Sequence, residues 1–170
     1  MTAPQPGIPF QPPTPLDPWA LIDSVRDTLN RAAHGTPVSR ETFHRAVSTA
    51  YYAVFHALAR NNADNIIGAP TNPSMALDWV DAYRRMRHGY AAYQLRQHIS
   101  TLDRNGREFS IRFINLKTAR ETADYNPNAV FNLASVSLWL NRAIAALNNL
   151  DAMSPTDKRT ITNIVLSGHP

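Results

Sequence analysis

The sequence predicts an all-α fold, an up-and-down bundle of about five to six helices, on three observations. Apolar residues recur at intervals of three and four, the period that puts them on one helix face. Cap residues and prolines mark where each such segment begins. No stretch alternates apolar and polar residues over strand length, so nothing calls for a sheet.

Seven of the 13 prolines lie in residues 1–18. Each lacks an N–H donor and fixes φ, so this segment is expected to be a flexible, polyproline-like arm. Asp17-Pro18 is a helix start, a cap followed by proline at the first helical position. The bundle is therefore expected over residues 19–166. Its first helix runs to about Ala33, with Trp19, Ile22, Val25 and Leu29 on one stripe. His34-Gly35-Thr36-Pro37 ends it. Ser39 caps a second helix, reaching about Ala63, whose apolar face holds Phe43, Val47, Ala50, Tyr51, Val54 and Leu58. Ser74 is expected to cap a third helix, from Met75 to about Arg87. His88-Gly89 interrupts it as a kink or a full break, and a helical pattern resumes from Tyr90 to about Leu102. Asp103-Arg104-Asn105-Gly106 reads as a turn before a helix from about Glu108 to Ala123, with Phe109, Phe113 and Leu116 inward. A helix at about 128–150 follows, carrying Val130, Leu133, Ala134, Leu138, Ile144, Ala145 and Leu147. Ser154-Pro155 opens a last short helix that Gly168 ends. Trp79 and Trp139 suit core positions better than stacking platforms.

Composition narrows the function. The chain has 170 residues, enough for one domain with a sizeable core. It has no cysteine, which removes disulfides, thiolate-bound zinc and thiol catalysis, and fits a reducing cytoplasm. No apolar run is long enough to span a bilayer, and the first residues lack the pattern of a secretory signal. Fifteen of the 17 basic residues are arginine. Seven of these (Arg84, Arg85, Arg87, Arg96, Arg104, Arg107, Arg112) fall in one segment, against only Asp103 and Glu108. Guanidinium forks match phosphate oxygens, so the segment could hold a polyanion; a solvated helix face is the plainer reading. His44 and His56 are three turns apart on one helix, too far to share an ion, and no metal or cofactor site is expected.

Three motifs carry a family resemblance. Arg45-Ala46-Val47-Ser48-Thr49-Ala50-Tyr51-Tyr52-Ala53-Val54-Phe55-His56-Ala57 resembles a helix of the HEPN proteins, the higher eukaryote and prokaryote nucleotide-binding domains. Ala82-Tyr83-Arg84 through His88-Gly89 is similar to a stretch in stand-alone bacterial members. Arg120-Glu121-Thr122-Ala123-Asp124-Tyr125 resembles their arginine-to-Asp-Tyr signature. The resemblance implies a helical bundle, a homodimer, and binding of RNA or a nucleotide. It also implies a toxin–antitoxin or phage-defence setting, with a nucleotidyltransferase-type antitoxin as a partner. Many members are metal-independent ribonucleases with an arginine and a histidine separated by four to six residues. Here the pattern departs: Arg84 and His88 have three residues between them, as do Arg40 and His44, and Glu121 follows Arg120.

Candidate residues follow. Arg84 and His88, at i and i+4 if one helix runs that far, are the best pair for catalysis; His88-Gly89 as a mere helix stop is the alternative. Arg45, Thr49, Tyr52, His56 and Arg60 form one polar stripe, either a groove wall for phosphate and bases or a satisfied core edge. Arg45, Tyr52, His56, Arg87, Arg96 and Arg120 are the candidates for RNA or nucleotide binding. Asp124 sits near a helix C-terminus, where a carboxylate is disfavoured by about 0.3–1 kcal/mol, so Arg120 is expected to clasp it. Three functions compete: RNA or nucleotide binding, endoribonuclease activity through Arg84 and His88, and protein docking.

Overall fold

The computed structural model describes residues 10–167. Half of the expected proline-rich arm, residues 1–9, and the expected stop at Gly168 lie outside the described residues. Residues 10–17 carry no regular structure. Among the described residues the chain is all-α, with seven α-helices and one short 3₁₀ turn, one or two helices more than expected.

Helix α1 (Pro18–Ala33) begins as expected: the Asp17 carboxylate accepts the Trp19 N–H at 2.9 Å. Ile22, Val25 and Leu29 are buried, but Trp19 is 40% exposed because it lies in the first turn, at the rim of the core. Helix α2 (Arg40–Ile66) is capped by Ser39 and runs one turn longer than expected. Its 27 residues reach about 40 Å at 1.5 Å per residue, making it the central rod of the domain. Small residues along it (Ala46, Ala50, Ala53, Ala59, Ala63) are buried and admit neighbouring helices closely. Helices α1, α3 (Pro73–Arg84), α5 (Arg104–Tyr125), α6 (Leu133–Asp151) and α7 (Pro155–Leu166) all pack against α2.

Four boundaries differ from expectation. Helix α3 is capped by Asn72, not Ser74; Pro73 has no N–H to lose and takes the first helical position. The chain breaks at residues 85–87, before His88. Arg87 is extended, Met86 turns into the core, and His88 opens helix α4 (His88–Gln97). Gly89 has no positive φ and is an ordinary residue of that first turn. Asp103 to Gly106 is a cap and first turn rather than a separate turn. The Asp103 carboxylate accepts the N–H groups of Asn105 and Gly106, and a Cβ on Gly106 would lie 2.8 Å from it. Helix α6 starts at Leu133 instead of residue 128, because Asn132 and Ser135 form a reciprocal capping box. Val130 therefore falls in the connector, 78% exposed, and Leu133 and Leu138 face outward. The core stripe of α6 is Val136, Leu140, Ala143, Leu147 and Leu150.

The main core joins α1, α2, α4, α5, α6 and α7. A small second cluster, Ala63, Trp79 and Ala82, seats α3, and the Trp79 indole donates to Asp64 at 2.8 Å. No described helix is long and apolar enough to cross a membrane.

Candidate functional site

The fourth and fifth turns of α2 bring Tyr51, Tyr52, Phe55 and His56 to the place where α3 ends and α4 begins. The break at 85–87 matters here, because it turns His88 back onto α2. The His88 ring stacks on Phe55 with centroids 3.9 Å apart and meets Tyr52 edge-on at 6.0 Å. Tyr51 is fully buried, and its hydroxyl lies 2.7 Å from His88 Nδ1. Tyr83, at the end of α3, stacks on His56, its hydroxyl 2.6 Å from His56 Nδ1. The result is one continuous set of rings.

Burial sets the charge state of this set. It raises the Tyr51 and Tyr83 phenols above their ordinary value, so both stay protonated. It also lowers His56 and His88, and the positive charge of Arg120 lowers His88 further. Both imidazoles are therefore neutral near pH 7. Neither phenol has another acceptor among the described residues, so each donates to the Nδ1 beside it. The ring hydrogen then resides on Nε2. Each histidine offers an N–H donor at that atom rather than a free base.

Helix α5 supplies the cation. Arg120 Nη2 donates to the Tyr52 hydroxyl at 3.0 Å, and its guanidinium lies between the rings of Tyr52 (5.7 Å) and Tyr125 (5.3 Å). Its Nε is 2.7 Å from Asp124 Oδ2, off the N–H direction, an ion pair rather than an aligned hydrogen bond. Ser48 donates to the other Asp124 oxygen at 2.5 Å. This is the clasp expected of Arg120, Asp124 and Tyr125. One turn earlier Lys117 pairs with Glu121 at 2.6 Å. Lys117 also shares a shallow depression with Arg96 and Gly89 of α4.

At the other end of α2 a cleft of about 560 Å³ opens between its first two turns and the end of α5, lined by Arg40, His44, Arg45, Asp124 and Tyr125 among others. The α5–α6 connector closes one side. Arg40 donates to the carbonyls of Pro127 and Ala129, the latter at 2.9 Å. His44 sets Nδ1 2.7 Å from the Ala123 oxygen and Nε2 3.1 Å from the Ala129 oxygen.

The sequence-derived candidates thus separate. Tyr52, His56, His88 and Arg120 come together; Arg45 lies two turns before Tyr52, at the cleft; Arg96 stands beside Lys117. Arg87 is exposed at the start of α4. Arg84 closes α3 while His88 opens α4, so the two do not share a helix face, and the cations acting on His88 are Arg120 and, less strongly, Lys117. Of the expected stripe, Arg60 instead pairs with Asp64 at 3.6 Å. Sequence reasoning missed the roles of Tyr51, Phe55, Tyr83, Lys117, Arg40 and His44. The spacing of Lys117, Glu121, Arg120 and Asp124 as two i,i+4 pairs was a usable signal for one of them. The partners of His44 and Arg40 lie more than 75 residues away and left none. No group of three or more acidic or histidine residues suited to a metal occurs among the described residues. Compared with models of known protein families, with curated proteins and with solved structures, the chain finds no match.

Proposed function

We propose that this protein is an HEPN-like bundle that binds RNA or a nucleotide on the face where α2, α4 and α5 meet. One observation carries the reading. Tyr52, His56 and His88 form a half-buried row of planar rings, with the Arg120 guanidinium against it, Lys117 one turn away on α5 and Arg96 beside Lys117. Rings take bases by stacking, at about 1–3 kcal/mol per base, while the cations take phosphates. The three sequence motifs support the same reading, since they contribute Tyr52, His56, Tyr83, His88 and Arg120. By the same resemblance the protein acts as a homodimer in a toxin–antitoxin or phage-defence system in the cytoplasm, beside a nucleotidyltransferase-type antitoxin.

A second reading, a metal-independent endoribonuclease, is favoured by the lowered proton affinity of His88 and the charge of Arg120 beside it. It ranks second because the Tyr51 hydroxyl occupies Nδ1, and base catalysis at Nε2 needs the other tautomer.

The test is fluorescence anisotropy of labelled single-stranded RNA across a salt series in excess chelator, with gels to detect cleavage. Binding that weakens with salt, without cleavage, is expected. Cleavage abolished in His88→Ala but kept in Arg84→Ala would put the nuclease first. Neither binding nor cleavage would overturn both readings and leave a protein partner as the alternative.

A further inference from the structure

The cleft at the start of α2 is separate from the ring row and differs from it in chemistry. One of its cations has no partner: Arg45 is exposed and its side chain meets no acceptor among the described residues. Arg40 spends its hydrogen bonds on two carbonyl oxygens, which carry no formal charge. Neither acid on the wall, Glu41 or Asp124, pairs with Arg45. Both oxygens of Asp124 are taken, by Ser48 and Arg120. Glu41 is held by its own backbone N–H and by the Ser39 hydroxyl, which lower its proton affinity. The cleft therefore carries one cation, Arg45, that no carboxylate pairs with, while Glu41 keeps its negative charge and acts on Arg40 and His44.

It also offers a ring. Tyr125 is 70% exposed at the rim and lies against the Arg120 guanidinium. A tyrosine so exposed gains little from folding, yet its position on the same cleft as the unpaired Arg45 suits a ligand that is planar at one end and anionic at the other. The wall is built in advance, because Arg40 and His44 pin the connector at Pro127 and Ala129, and a preformed wall lowers the ordering cost of binding. About 560 Å³ falls within the range of small-molecule sites.

We propose that this cleft holds a nucleoside 5′-monophosphate, its phosphate on the Arg45 guanidinium and its base on Tyr125. The same chemistry belongs to a free mononucleotide and to the phosphorylated 5′ end of a strand. The strand-end form rests on the RNA reading above; the mononucleotide form does not. A phosphomonoester dianion suits the guanidinium fork, which meets two of its oxygens at once.

The full chain is titrated calorimetrically with AMP, adenosine and inorganic phosphate. Separately, RNA of one sequence is compared with a 5′-phosphate and with a 5′-hydroxyl. Arg45→Gln and Tyr125→Ala, both at exposed positions, are run alongside with thermal melts to confirm folding. AMP is expected to bind about tenfold or more tightly than adenosine or phosphate, and Arg45→Gln to remove about that factor, the worth of one charged hydrogen-bond pair. AMP binding alone assigns the free mononucleotide; a preference for 5′-phosphorylated RNA that Arg45→Gln abolishes assigns the strand end. RNA bound equally with either end, together with no response to AMP, overturns the cleft and leaves the RNA reading standing. AMP binding unchanged in Arg45→Gln also overturns it. AMP binding lost in Arg45→Gln, with no RNA bound at all, keeps the cleft and removes the RNA reading.

Discussion

The two ends of α2 use the same residue types to opposite effect. Toward its C-terminal half, His56 and His88 sit among rings, His88 accepting from the buried Tyr51 hydroxyl and His56 from the half-buried Tyr83 hydroxyl. Toward its N-terminus, His44 faces two carbonyl oxygens and Arg40 stands beside it, holding the same connector. The first environment favours the neutral imidazole; the second uses the ring to tie the connector to α2 and α5. Partners, more than burial class, decide what a histidine does, since all three are half-buried. Arg120 lies between the two environments, with Tyr52 on one side and Tyr125 on the other.

The largest effect is expected at the ring end. Tyr51 is fully buried against Tyr52, Phe55, His88 and Phe113, so Tyr51→Ala should cost about 3–5 kcal/mol in urea unfolding. A loss below about 1 kcal/mol would mean the rings are not packed as described. Next comes the connector end. His44→Ala removes the side-chain partner of the Ala123 carbonyl and one of the two donors to Ala129, and should cost about 1–3 kcal/mol. It should also speed proteolytic cutting within residues 126–132, whereas His56→Ala should not. Equal cutting in the two variants would erase the contrast between the ends.

A smaller effect is a slope with pH. Burial holds His56 and His88 below the ordinary histidine value of 6.5, and Arg120 adds to this at His88. The unfolded chain then binds more protons than the folded one just below pH 6.5, so stability is full above that pH and falls as pH drops through the window. Melts at stepped pH should show this, and His56→Gln with His88→Gln should flatten it. A midpoint that rises as pH drops from 7 to 5.5 would contradict the neutral assignment. Smallest is the surface pair of Glu108 and Arg112: Glu108→Gln should change stability by about 0.5 kcal/mol or less.

Much of the fold was legible in the sequence because local rules decided it. Asp17, Ser39 and Ser154 cap where they were expected to, and the stripes Ile22–Val25–Leu29 and Phe109–Phe113–Leu116 are buried. The misplaced boundaries each turned on a competition that spacing does not rank. Asn72 outcompeted Ser74 because Pro73 lies between them, and the capping box at Asn132 outcompeted the apolar run that begins near Val130. Less of the candidate site was legible. Tyr52, His56, His88 and Arg120 share one region because α2, α4 and α5 cross there. The pairings of Tyr51 with His88 and of His44 with the connector are contacts between distant segments. Arg84 looked like the partner of His88 because the spacing is helical, but the chain leaves the helix between them.

The most direct measurement of the central claim is RNA anisotropy with Arg120→Lys, a change that keeps the charge but removes the planar fork from between the two tyrosines. Binding should weaken by about tenfold, with the salt dependence nearly unchanged, because the loss is of stacking and geometry rather than of a phosphate counter-charge. Wild-type affinity in Arg120→Lys, with the melting temperature also unchanged, would contradict the placement of RNA on this face.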